Sequence, residues 1–413
     1  MLRDDAGHDP YAALRLPGFR WFSASLLTQT LATQIQGVVV GWQVYQNTRD
    51  PLALGLVGLA EALPFLTMAL FGGHVADRVS RRGLVLASLA VLNGSSLALL
   101  LLTVTGRIGI GGVWPVYAVL AASGVARSFL QPARTAMIPE LVPPPLYHNA
   151  VGWRTSVWQF GAVIGPALGG ILYTIGGATL GYLVDAALMA AAWITLAWVP
   201  SRPPLPVVAG LSVLASLREG LRFVWTRPIL LSALTLDLLA VLFGGAEALL
   251  PLFAADILHV GPAGLGALRA APAIGSVLTA LVMALRPPLE RAGPALLAAV
   301  TLFGLSMIGF GLSRDPLLSW FLLAIAGMAD NVSVVLRATM LQVLTPPQLL
   351  GRVSSVNAIF IGSSNELGAF ESGVAARLLG AVPAVVLGGV VTLLVVAITA
   401  WRVPALRKLQ RIK

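Results

Sequence analysis

Stretches of about twenty predominantly apolar residues follow one another along almost the whole chain, separated mostly by short, basic turns. A helix needs about 20 such residues to cross the hydrocarbon of a bilayer. Twelve stretches qualify. They cover 18–46, 53–75, 83–105, 112–132, 149–174 and 178–199 in the first half, and 228–257, 262–285, 292–313, 316–340, 353–379 and 381–402 in the second. The chain therefore reads as an all-α integral membrane protein of twelve transmembrane helices.

Composition supports lipid over water as the main solvent. Of 413 residues, 57% are hydrophobic and 11% charged, against about 25% charged in a soluble domain. The net charge of +10 raises nucleic acid as a partner, but the arginines lie between apolar spans, as topology demands. Nucleic acid is not expected. There is no cysteine, and His8, His74, His148 and His259 are dispersed, so neither thiolate nor histidine metal sites are formed. The two lysines, Lys408 and Lys413, sit at the C-terminus, which rules out a phosphate-binding G-x-x-x-x-G-K loop. No G-x-S-x-G elbow occurs. No enzyme, cofactor, metal or built-in ATPase is expected.

An even number of spans puts both termini on one side. Most arginines fall on that side, and only Arg49, Arg107, Arg314 and Arg377 fall on the other. The positive-inside rule then makes the termini cytoplasmic. Asp4, Asp5 and Asp9 argue against a cleaved signal peptide. The expected organisation is a cytoplasmic tail (1–17), a six-helix bundle (18–199), a linker (200–227), a second bundle (228–402) and a basic tail (403–413). In the linker, Leu211, Leu214, Leu217, Leu221 and Val224 recur at helical spacing, as in an amphipathic helix lying on the membrane surface.

The halves resemble each other. Arg134, Met137 and Pro144 match Arg337, Met340 and Pro347 at one offset, which also carries Gly165 to Gly368 and Gly170 to Gly373. A slightly different offset sets Gly55-Leu56 on Gly264-Leu265. Two pseudo-symmetric bundles related by an axis along the membrane normal are expected. The first offset also places Arg127 opposite Asp330, and these two are expected to pair across the central chamber as an inner gate; the alternative is that each is satisfied within its own bundle.

Two motifs stand out. The turn after the second span reads Gly73-His74-Val75-Ala76-Asp77-Arg78-Val79-Ser80-Arg81-Arg82, and the fifth span carries Gly161-x-x-x-Gly165-Pro166-x-x-Gly169-Gly170. The first resembles the G-x-x-x-D-R-x-x-R-R loop of the major facilitator superfamily of secondary transporters, with Ser80 where glycine is usual. The second resembles the glycine motif of exporter branches. With Gln131-Pro132-Ala133-Arg134 and the stretch from Phe360 to Gly373, the chain resembles the enterobactin-exporter-like and drug:proton antiporter branch over nearly its whole length. The resemblance implies that Asp77 holds the start of the eleventh span while Arg78, Arg81 and Arg82 set the loop. It also implies that the fifth helix packs on the eighth, and that Arg134 and Arg337 serve the conformational cycle.

Ionisable residues within spans each cost about 2.5–3.5 kcal/mol at the membrane centre and are functional candidates by default. Asp330, Glu366, Asp237 and Glu61, in that order, are the proton-coupling candidates, whereas Glu247 and Glu371 read as rim charges and Asp185 as structural. Glu61 and Arg269 read as charges between bundles, with Glu366 or Glu371 as neighbours of Glu61. Gln34, Gln43 and Tyr45 on the first span, with Asn331 and Asn365, are candidates to line the cavity, although Gln34 and Gln36 cannot face the same way.

The reading is a monomeric, proton-coupled exporter of a siderophore or amphipathic drug-like molecule, in the bacterial inner membrane. Its rivals are uptake by the same fold, a membrane-embedded enzyme, and a permease driven by a separate ATPase subunit, which the paired repeat disfavours.

Overall fold

The computed structural model describes residues 9–110, 112–201, 213–285 and 291–410. Twelve long helices run back and forth: α1 Pro17–Thr48, α2 Pro51–Arg78, α3 Arg81–Val104, α4 Trp114–Leu141, α5 and α6 (147–175 and 178–197), α7 Pro228–Gly244, α8 Gly261–Leu285, α9 Ala292–Leu312, α10 Pro316–Leu344, α11 Leu350–Leu379 and α12 Ala381–Arg402. Proline opens α1, α2, α7 and α10, where its missing N–H costs nothing. Asp50 and Asp315 cap α2 and α10 by accepting from the amides of Leu52 and Leu318 at 3.0 and 2.7 Å.

Helices α5 and α6 meet without a loop. Gly177 makes the reversal with φ 63 and ψ −164, a region open essentially only to glycine. By length and composition alone, eight segments among the described residues can cross a membrane, and one of these, 144–197, makes two passes. The other three long helices are α1 with its glutamines, α4 with Arg127 and Arg134, and α11 with its asparagines and glutamates. These are the most polar walls of the molecule.

The seventh span is not one helix, as its apolar run suggested. Helix α7 stops at Gly244; Gly245 is extended, a 3-10 turn covers Glu247–Leu249, and a π-helical segment follows at Phe253–Ile257. Non-helical backbone at membrane depth needs partners from the protein, and the Ser372 hydroxyl supplies one by donating to the Gly245 carbonyl at 2.8 Å.

The helices pack as two equivalent sets of six. In the first half α1 packs along α5 and α6, α2 on α4, and α3 on α4 and α6; in the second half α7 packs on α11 and α12, α8 on α10, and α9 on α10 and α12. The halves meet through α2 with α11 and α5 with α8, contacts that exchange under the same pseudo-twofold operation. The linker helix Val213–Trp225 packs on the second half: Val224 is fully buried with Leu234, Leu341, Val353 and Val356, and Glu219 pairs with Arg352 at the start of α11.

Candidate transport site

The two halves touch where helices are nearly bare of side chains. Pro166 and Gly170 of α5 lie against Pro262 and Gly266 of α8, and Ala369 and Gly373 of α11 lie against Pro51 and Gly55 of α2. A Cβ on Gly373 would approach Gly55 Cα to 2.7 Å, and one on Gly170 would collide with the Pro262 carbonyl. Absent side chains let the backbones close, as small residues do throughout membrane helices. The structure corrects the repeat alignment here: the equivalent of Gly55 is Gly266, not Gly264. It also divides the glycine motif. Gly161, Gly165 and Gly169 face Thr30, Gln34 and Ile35 of α1, so only Pro166 and Gly170 carry the expected contact with α8.

Polar bonds cross the seam at the same end, the face opposite the one where α1 begins and α12 ends. Asp256 accepts from Tyr45 and, at 2.7 Å, from Arg49, while Arg377 reaches Asp50 at 3.3 Å. Beside them lies a cavity of about 250 Å³ lined by Trp42, Tyr45, Gln46, Arg49, Ala255, His259 and Gly261. Tyr45 thus sits at this seal rather than in a central chamber. Deeper along the seam, the Arg269 guanidinium of α8 crosses to α1, where Gly37 leaves room for it; a Cβ there would stand 3.1 Å from Nη1.

Two ion pairs within the spans each form inside a single half. Arg127 of α4 bonds Glu61 of α2, and Arg337 of α10 bonds Asp237 of α7 at 2.6 Å. The expected Arg127–Asp330 pair is therefore not formed, and Glu61 pairs with Arg127 of its own half. Equivalent residues of two repeats sit at matched depths, but matching does not bring them into contact. Asp330 instead joins Asp237, Phe303 and Ser333 around a gap of about 10 Å³, about one water in size. Among the described residues Arg134 has no acidic partner; its Nη2 donates to Gln29 Oε1 of α1 at 2.6 Å. Each half thus holds a buried α4 or α10 arginine on its first helix, with a neutral amide in one and a carboxylate in the other.

The α1 glutamines divide by rotation about the helix. Gln36 donates to Asp185 at 3.0 Å and to Ser96 at 3.3 Å; Gln43 donates to Thr103 at 3.1 Å and accepts from Tyr182 at 2.8 Å. Gln43 therefore belongs to the interior of the first half, not to the cavity wall. Gln29, Gln36 and Gln43 lie seven apart and share that inward face, a spacing visible in the sequence that would have singled out Gln29. Gln34 faces α5 at Gly165, Asn331 donates to the Ser276 carbonyl at 3.2 Å, and Asn365 is exposed on α11.

At the basic turn, Arg81 donates to Glu140 at 2.7 Å and to the Ala136 carbonyl at 3.0 Å; Arg82 donates to the Ala197 carbonyl at 2.6 Å. The arginines tie the turn to the ends of α4 and α6. Position 73, the expected grip of Asp77 on α11 and the role of Glu366 lie outside the described side chains, whereas Arg78 is exposed in the last turn of α2.

Two bundles in lipid, joined along a bare seam with charges at membrane depth, define a membrane transporter. The Major Facilitator Superfamily profile matches residues 22–369, and the chain belongs to that family; it is a multi-pass transporter rather than an enzyme. The chain is 28% identical over 407 residues to the multidrug efflux pump Tap of Mycolicibacterium fortuitum, covering 93% of this chain and 95% of Tap. It is 27% identical to the enterobactin exporter EntS of Citrobacter koseri, covering 94% of each. Among solved structures, the fold matches a POT family transporter in complex with 5-aminolevulinic acid, with TM-score 0.75, 12% identity and 95% and 97% of the two chains covered. It also matches a bacterial homologue of the human lysosomal transporter Spinster, with TM-score 0.71, 16% identity and 98% of each covered.

Proposed function

We propose that this transporter exports a siderophore or an amphipathic drug-like molecule from the bacterial cytoplasm in exchange for protons, with both termini cytoplasmic. The end-to-end likeness to Tap and EntS, two exporters by name, carries the direction and the substrate class. The ionisable groups within the spans support proton coupling: buried charges are expensive in lipid and mark ion pathways. Asp330 and Asp237, beside Arg337, are the foremost carriers, with Glu61 and Glu366 next. No nucleotide or ATPase subunit enters the cycle, and one chain suffices.

In this reading residues 18–199 and 228–402 rock as two bodies about the seam, tethered by 200–227. In the same reading the contacts at the opposite face belong to a state closed to the outside. The basic turn, with Asp77, Arg78, Arg81 and Arg82, closes the cytoplasmic side in the other state, where Gly73 and the pairs of Arg127, Arg134 and Arg337 must rearrange.

Cells with and without the protein should differ in tolerance of amphipathic toxic compounds or in the siderophore they secrete. Export is overturned if expression instead raises the intracellular level of every such compound tested.

A further inference from the structure

Arg49 and Arg377 are among the four arginines placed against the positive-inside bias. Both are used in the same way. Arg49, in the turn between α1 and α2, bonds Asp256 of the π-helical segment before α8; Arg377, at the end of α11, bonds Asp50, the residue next to Arg49. Each pair joins one half to the other, and the polarity alternates. The first half supplies the cation in one pair and the acid in the next, from two consecutive residues. Tyr45, one turn before Arg49, adds its phenol to Asp256.

The backbone gives an independent sign. Arg49 ends α1 in the left-handed region, at φ 51 and ψ 22, and among the described residues only His259 is another non-glycine with positive φ. Glycine is the usual choice at such a helix end, because a Cβ strains it. Helix termination alone favours glycine here, so an arginine points to a task for its side chain. His259 lines the same cavity as Arg49.

The exposure suits a contact that must break. The side chains of Arg49 and Asp256 are 60% and 42% exposed, and those of Arg377 and Asp50 are 56% and 34% exposed. Pairs of this kind hold weakly in water. The glycine seam brings the helices together without choosing a register, whereas opposed charges of alternating sign do choose one.

We propose that Arg49 and Asp50, gripping Asp256 and Arg377 of the other half, form a two-point latch that holds the face opposite the termini shut and releases when the transporter opens there. The latch rests on alternating access, but not on the direction of transport, the coupling ion or the substrate.

The chain has no cysteine, so a pair introduced at Thr105 and Leu317 can be spin-labelled without background. These exposed positions close to that face belong to different halves. Distances are read by electron paramagnetic resonance on the full chain in liposomes. Arg49→Asp and, separately, Arg377→Asp should each raise the ratio of long to short distances by roughly two- to fivefold. Arg49→Asp combined with Asp256→Arg should return it towards the unmodified chain. Arg49→Gly should open the face without lowering the melting temperature, because it relieves the left-handed strain; a merely structural arginine would lower it. Two populations that the charge reversals leave unchanged, or a swap that fails to restore closure, overturn the latch. One fixed distance that neither substrate nor any variant moves overturns alternating access as well.

Discussion

Asp237 and Arg337 lie 2.6 Å apart with side chains only 7% and 5% exposed, so neither charge can turn to water if the other is removed. Asp237→Ala leaves the Arg337 guanidinium buried and uncompensated. Losing one partner of a buried ion pair costs about 3–5 kcal/mol, while replacing both with apolar side chains is often near neutral. Asp237→Leu with Arg337→Met should therefore recover most of what Asp237→Ala loses. The other half provides the control. Arg134 is held by the neutral Gln29 amide, and Gln29→Ala removes a hydrogen bond to a charged group, worth about 1.5–3 kcal/mol. Reversible unfolding of the purified protein in mixed micelles measures all three variants against the unmodified chain. The reasoning is refuted if Asp237→Ala costs no more than Gln29→Ala, or if the double substitution costs as much as the single one.

Gly170→Ala and Gly373→Ala each drive a Cβ into the backbone of the other half; overpacking of about 1–3 kcal/mol should cut transport by about tenfold, measured as initial rates in vesicles. Gly177→Ala forces an alanine into φ 63 and ψ −164, and should lower stability by about 1–3 kcal/mol in thermal unfolding, with no effect on substrate affinity in the surviving fraction. Gln36→Leu removes the side-chain donor to Asp185, which is fully buried; the loss should be about 1–3 kcal/mol, and Asp185→Asn in the same chain should return part of it.

Most of the architecture could be read from the residues. Apolar run length, loop arginines and recurring glycines are each local signals, and together they give helices, halves and a seam. What escaped was rotation and partner choice. The break at Gly244 and Gly245 is marked only by that glycine pair and Glu247, inside a stretch apolar enough to span, where hydropathy reports burial but not whether the helix ladder continues. Arg127 and Asp330 matched in the repeat, yet their partners are set by which way each helix is turned, and Arg127 turns towards Glu61 within its own half. The split of the glycine motif between α1 and α8 is of the same kind: four glycines spaced for one helix cannot show which neighbour each will meet. The α1 glutamines were legible in part, since their seven-residue spacing names a face, but only packing shows that this face meets α3, α4 and α6.

The exchange of substrate for protons is tested most directly in sealed vesicles that contain only this chain, lipid and an internal pH-sensitive dye. The test compound is one whose cellular level depends on the protein. With no nucleotide present, an imposed proton gradient should drive the compound uphill, adding the compound should release protons in the opposite direction, and a protonophore should abolish both. Uphill movement that ignores the proton gradient, or downhill movement with no proton flux, contradicts the account.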